Sequence, residues 1–183
     1  VREFWKAFSF LEEISPGPEA FGYVKYFLSK AMSWKKLYNN NVFLDRIIQY
    51  LVRLEEDADT PAVVKPFLFK YLESLYQKYN DYEKQEEFTR LLEQAVQKYP
   101  DNNFLKYQLV RYYIWGYDFS DVEEKIAQLM QSVPEEDREH PEYLLTAVRI
   151  AYNKEDQEEA NLLMSQLAES KDYHRSAFFV RIN

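Results

Sequence analysis

PDNNFLKYQLVRYYIWGYDFSDVEEKIAQLMQSVP, residues 100–134, begins and ends on proline. Inside it, Leu105, Leu109, Tyr112 and Tyr113 recur at helical spacing as far as Gly116. Val122, Ile126, Leu129 and Met130 repeat the pattern beyond it. This punctuation predicts two amphipathic helices joined by a short turn. Its centre, VRYYIWGYDF (110–119), holds five aromatic rings in ten positions. Such density raises two readings, an aromatic ligand box or the inside of a stack.

Composition narrows the fold class. The 183 residues include 16 Tyr, 13 Phe and 3 Trp but only 3 Gly and no Cys. Few glycines leave little material for the tight turns of hairpin-rich β folds, whereas Glu, Lys, Gln and Leu favour helix. The expectation is an all-α protein. Without cysteine there is no disulfide framework, thiolate zinc site or catalytic thiol. A net charge of −8 favours solubility and disfavours a broad polyphosphate-binding surface. No apolar run approaches a membrane span, and the opening VREFWKAFSF lacks the order of a signal peptide. A start at Val1 suggests a processed or cut chain; the compartment stays open, with the cytoplasm favoured.

Working outward, the same punctuation recurs. Phe4, Trp5, Phe8, Leu11 and Ile14 predict a helix over 1–14, broken at Ser15-Pro16-Gly17-Pro18. Residues 19–56 read as a degenerate hairpin, turning at Asn39-Asn40-Asn41 before Leu44, Ile47, Ile48, Leu51 and Val52. Thr60-Pro61 predicts a capped helix start, which Pro66 either kinks or restarts. Leu72, Leu75, Tyr76 and Tyr79 precede the turn at Asn80-Asp81, and Phe88, Leu91, Leu92, Ala95 and Val96 follow it. A further hairpin opens at Pro141 with Leu144, Leu145, Val148 and Tyr152, turns at Asn153-Lys154, and continues through Ala160, Leu163, Met164 and Leu167. Residues 172–183, with Phe178 and Phe179, begin a truncated or capping helix.

Pro100 and Pro134 are 34 residues apart, as are Tyr79 and Tyr113. A 34-residue helix–turn–helix period resembles the tetratricopeptide repeat. The units 61–100, 103–134 and 141–170 carry the resemblance. It departs from the family pattern where small residues give way to Tyr76 and Phe88, and to Val110 and Val122. The resemblance implies one domain over 1–183, a right-handed α-α superhelix of stacked hairpins. Its concave face, lined by the first helix of each unit, would bind a peptide or partner helix.

A helical wheel centred on Leu109 puts Leu105, Tyr112 and Tyr113 on the core side and Phe104, Tyr107, Arg111 and Ile114 opposite. In the following unit the corresponding face holds Tyr143, Thr146 and Ile150, with Arg149 beside it. These eight residues are the candidate partner-binding set. Apolar anchors beside a guanidinium suit an amphipathic peptide bearing an acidic group. The competing reading is internal packing, or a face covered by residues 1–14 or by further units. Within 110–119, Tyr112 and Tyr113 are expected in the stack, Gly116 at a turn that it permits, and Tyr117 and Phe119 stapling the next helix. Trp115 sits at the margin. The family's carboxylate clamp finds no match in Glu73/Gln77, Tyr107/Arg111 or Thr146/Ile150, which disfavours a chaperone-tail receptor.

Signals for catalysis are poor: there is no phosphate loop, no HExxH, and His140 and His174 lie in unrelated segments. His140, before Pro141, reads as a helix cap or an exposed side chain rather than a metal ligand. The acidic clusters Glu55-Glu56-Asp57 with Asp59, Glu135-Glu136-Asp137, and Glu155-Asp156 with Glu158-Glu159 fall at helix junctions. There, hydrated carboxylates complement N-terminal dipoles. The reading is therefore a non-enzymatic protein-interaction scaffold with no cofactor and no metal. Its alternatives are an RNA-processing scaffold of half-tetratricopeptide type, a carbohydrate platform, or an accessory domain of a larger enzyme or transcription regulator. Nucleic acid is disfavoured because no basic cluster exceeds Lys35-Lys36. An oligomer through exposed terminal repeats is compatible with this architecture.

Overall fold

Local sequence signals account for most helix boundaries in the computed structural model, which describes residues 41–79 and 81–170 continuously. Nearer the N-terminus it describes 6, 8–10, 13, 22–24, 26 and 27. Among the described residues no strand occurs, in keeping with the all-α expectation: residues 6, 8–10, 13, 22–24, 26 and 27 are helical, and from Asn41 onward follow seven α-helices and one 3-10 turn. The helices are α1 (Asn41–Glu56), α2 (Lys65–Tyr76), α3 (Tyr82–Lys98), α4 (Asn103–Gly116), α5 (Phe119–Gln131), α6 (Pro141–Asn153) and α7 (Gln157–Glu169). The 3-10 turn, Glu135–Asp137, precedes α6. Most of the expected 1–14 helix, most of the first half of the 19–56 hairpin, the Asn39-Asn40 turn and all of 172–183 lie outside the described residues. Among the described residues no helix is long and apolar enough to cross a membrane.

The chain divides into two compact units, Val1–Arg90 and Leu91–Asn183, with the boundary inside α3. In the first unit α1 packs on α2. Phe43, Leu44, Ile47 and Leu51 of α1 are buried, as are Leu68, Leu72, Leu75 and Tyr76 of α2 and Phe88 of α3. Both helices thus bury one stripe at i, i+3, i+4 spacing. The Tyr76 and Phe88 rings stack with centroids 5.0 Å apart. Phe8 is buried against Tyr50, centroids 5.6 Å apart, and Arg46 lies over its ring at 5.3 Å.

Helix α2 starts later than Thr60-Pro61 suggests. Residues 61–64 form a turn in which the Val64 amide donates to the Pro61 carbonyl at 2.8 Å, and α2 begins with Pro66 in its first turn. Pro66 has no N–H to offer the carbonyl four residues back, so of the two alternatives, kink or restart, it restarts the helix. Thr60 is not a cap: its hydroxyl is buried without a hydrogen-bond partner. Lys65 instead donates from Nζ to the Asp57 carbonyl at 2.7 Å, placing a cation at the end of α1. Glu55 also departs from expectation, because it is buried in the last turn of α1 rather than hydrated at a helix N-terminus.

In the second unit α4 packs on α5 and on α6, and α6 packs on α7. Four side chains set the helix starts. Asn102 Oδ1 accepts from the Leu105 amide at 3.1 Å, and Asp118 Oδ1 from Ser120 at 3.2 Å. His140 Nδ1 accepts from Glu142 at 3.2 Å, and Asp156 Oδ1 from Glu159 at 3.0 Å. Each satisfies an amide that the helix itself leaves unpaired. His140 is therefore a cap, with Pro141 beside it in the first turn.

Two expectations for this unit change. Gly116 ends α4 without a positive φ, and a Cβ there would meet nothing within 4 Å, so the turn does not depend on glycine. The break falls at Tyr117, in extended conformation at φ −135° and ψ 158°, and its ring meets that of Tyr113 with centroids 5.9 Å apart. Tyr152 is 48% exposed, since Ala151 takes the buried position one turn after Val148 and Tyr152 is rotated past it.

The turn from α6 to α7 contains the only positive-φ non-glycine among the described residues, Glu155 at φ 59°. It lets the Asp156 amide donate to the Ala151 carbonyl at 3.0 Å, the six-to-one bond that closes a helix on a left-handed residue. A Cβ in this conformation costs about 1 kcal/mol. Glu155→Gly is expected to raise stability by roughly 0.5–1 kcal/mol. A urea melt checks this, and a lowered midpoint counts against the assignment.

Candidate functional site

The second unit carries all eight expected partner-binding residues, on α4 and α6. Two exposed polar contacts mark the register of the paired helices. Near their N-terminal ends Asn103 Nδ2 donates to Asp137 Oδ2 at 2.8 Å. Beyond the far end of α6, Lys154 pairs with Glu123 of α5 at 2.7 Å. Because α5 begins where α4 ends, α4 and α6 run in the same direction. Between these links the Tyr107 and Tyr143 rings meet edge to face, centroids 6.3 Å apart.

Phe104, Arg111, Ile114, Tyr143, Arg149 and Ile150 are all half-buried. Tyr107 and Thr146 differ from the wheel, which turned them away from the core. Tyr107 is 6% exposed, and Thr146 is buried with its hydroxyl donating to the Glu142 carbonyl at 2.7 Å. The physical reason is that α4 has neighbours on two sides, so every residue from Leu105 to Val110 is buried, Lys106 and Gln108 included. Burial first, then the nearby carboxylate of Asp137, pushes the Tyr107 hydroxyl up to about 12. Trp115, placed at the margin by sequence, is 59% exposed. Arg111 lies over its ring at 5.9 Å, and Tyr112 packs on it at 6.0 Å.

A second pattern repeats at the 34-residue spacing. Tyr79, just beyond α2, donates its hydroxyl to Asp45 Oδ1 on α1 at 2.8 Å, and Lys84 of α3 lies over its ring at 5.4 Å. Tyr113, in the last turn of α4, donates to Glu93 Oε1 on α3 at 2.5 Å, and Lys125 of α5 lies over its ring at 5.4 Å. In both cases one tyrosine ties the preceding helix to the following one. Tyr76 adds a third bond, to Glu87 Oε1 at 2.6 Å, and Lys84 pairs with Glu87 at 3.0 Å. Burial, then the accepting carboxylates, raises Tyr76, Tyr79 and Tyr113 well above the ordinary tyrosine range. At neutral pH these hydroxyls are neutral donors.

Sequence reasoning found the tyrosine pair through its spacing but missed the partners, which lie 20 and 34 residues away. It also missed Lys106, whose ammonium donates to the Ser132 carbonyl at 3.0 Å. Arg138 donates to the carbonyls of Val133 and Gln131, at 3.1 and 3.3 Å. Together the two cations cap the C-terminal end of α5, which has no basic residue in its own last turn. Among the described residues no three His, Cys, Asp or Glu side chains converge where they could hold a metal ion. Comparison with protein-family models, curated proteins and solved structures gives no match for this chain.

Proposed function

We propose that this chain is a non-catalytic interaction scaffold of tetratricopeptide-like type, taking a peptide or partner helix along the α4/α6 face. The observation that carries this reading is the same-direction pairing of α4 and α6, with Phe104 and Ile114 half-buried on one helix, Tyr143 and Ile150 half-buried on the other, and the Arg111 guanidinium over the exposed Trp115 ring. The packing order supports the repeat reading: first helix on second, first helix on the next first helix, and that helix on its own partner. Half-buried apolar side chains beside a guanidinium and an exposed indole are groups that supply binding energy at interfaces. Tyr107 and Thr146 serve as support beneath the face. Arg111 and Arg149 favour an acidic group on the ligand, with the planar guanidinium fixing its orientation.

Selection of a phage-displayed peptide library on the full chain tests the proposal. Selected peptides should combine apolar positions at helical spacing with an acidic residue. Arg111→Ala or Ile150→Ala should weaken them by roughly 30-fold while helicity is unchanged. Peptides that bind all variants equally, or a selection that yields no binder sensitive to either change, would overturn it.

A further inference from the structure

A separate cleft of about 470 Å³ lies between the end of α3 and α5. Leu109 and Tyr113 of α4 form its floor, on the side of that helix turned away from Tyr107 and Arg111. Val96 and Leu129 extend the apolar surface to either side. The volume falls in the range of small-molecule sites, which combine an apolar lining with a few placed polar groups.

The two walls carry opposite charges. On α3 stand Glu93 and, one turn later, Gln97; on α5 stand Lys125 and, one turn later, Gln128. Glu93 and Lys125 are 3.8 Å apart, longer than a hydrogen bond, with the Lys125 side chain 61% exposed and that of Glu93 36%. An open pair of this kind contributes little to folding, so separating its charges costs little. The Tyr113 hydroxyl holds one carboxylate oxygen of Glu93 and so fixes where the negative charge stands.

We propose that this cleft binds an apolar α-amino acid as its zwitterion. The ligand ammonium donates to Glu93 and to the Gln97 side-chain carbonyl. Its carboxylate accepts from Lys125 and the Gln128 amide, and its side chain lies on Val96, Leu109 and Leu129. A ligand of one charge would leave the opposite wall unsatisfied, whereas a zwitterion inserts between the two charges and pairs both. The site lies on the opposite side of α4 from the proposed peptide face and is independent of it.

Titration of the full chain with L-leucine, followed by calorimetry and ligand-observed NMR, tests this. Binding is expected. Lys125→Gln and Glu93→Gln should each weaken it about tenfold, the loss of one charge-assisted contact. Glu93→Gln retains an acceptor for Tyr113, and circular dichroism of both variants should match the parent. Isocaproate and isoamylamine, each lacking one of the two charges, should bind about tenfold more weakly than leucine. Arg111→Ala should leave leucine binding unchanged, which separates this site from the peptide face. Absence of a leucine signal at millimolar concentration, equal affinity in the charge variants, or equal binding of either single-charge analogue would overturn the proposal.

Discussion

Helix content is expected to collapse between pH 10 and 12, and the share of tyrosinate absorbance that belongs to the buried rings is expected to rise together with that loss. Tyr76 and Tyr79 in the first unit, and Tyr107 and Tyr113 in the second, are buried with hydroxyls raised above the ordinary tyrosine range. An unfolded tyrosine releases its proton near pH 10, whereas these four keep theirs while the fold persists. Above pH 10 the unfolded chain therefore binds fewer protons than the folded one, and stability falls as pH rises. The stabilisation is fully present below pH 10 and lost through the folded values. Each tyrosine removes up to about 1.4 kcal/mol per pH unit, so two in one unit remove up to about 3 kcal/mol. Two such pH units approach the whole stability of an ordinary domain, about 5–15 kcal/mol. Circular dichroism and tyrosinate absorbance recorded on one titration check this. Constant helicity to pH 12 with complete tyrosine ionisation would refute the buried-hydroxyl assignment.

Lys106→Ala is expected to be among the most destabilising single changes in the second unit, by about 3 kcal/mol. The side chain is 4% exposed, its stem packs inside α4's surroundings, and its ammonium supplies the Ser132 carbonyl with a donor. Alanine removes the packed methylenes and leaves that carbonyl unpaired. Lys106→Met keeps most of the packing and deletes a desolvated charge, so it should cost only about 1 kcal/mol. Urea melts of both variants give the comparison; equal stability of Lys106→Ala and the parent would remove the cap from the account. Burial, the largest influence, lowers the Lys106 pKa, while Asp101 and Asp137 partly restore it. A lysine lowered in the fold binds fewer protons than in the unfolded chain, so its contribution rises with pH, opposite to the tyrosines. Lys106→Met should therefore steepen the alkaline loss in its unit.

The burial of Lys106 on α4 has the same cause that left the candidate site only partly legible. A wheel drawn on Leu109 assumes one buried side and one open side, and for α1, with a single buried stripe, that assumption holds. For α4 it fails, because α5 and α6 both pack on the helix. Tyr107 and Thr146 then become interior side chains, while Trp115 at the helix end emerges as the exposed ring. The Thr60-Pro61 start failed for a different reason. A cap is a local signal, but Pro66 was a stronger one, and a proline excludes the helix from the turn before it.

Sequence by itself determined the helical class, the hairpin punctuation and most helix starts. Those depend on side chains within three or four residues of one another: apolar stripes at i, i+3 and i+4, and local caps, of which His140 was legible in the sequence while Asn102, Asp118 and Asp156 came with the structure. The 34-residue spacing of Tyr79 and Tyr113 also stood in the sequence, though the bonds their hydroxyls make did not. Only the tertiary structure decided which carboxylates accept those hydroxyls, that Lys106 and Arg138 close α5, and that Glu93 faces Lys125 across a cleft. These contacts join groups on different helices. Their partners are selected by how the helices pack, and helical periodicity carries no information about distance between them.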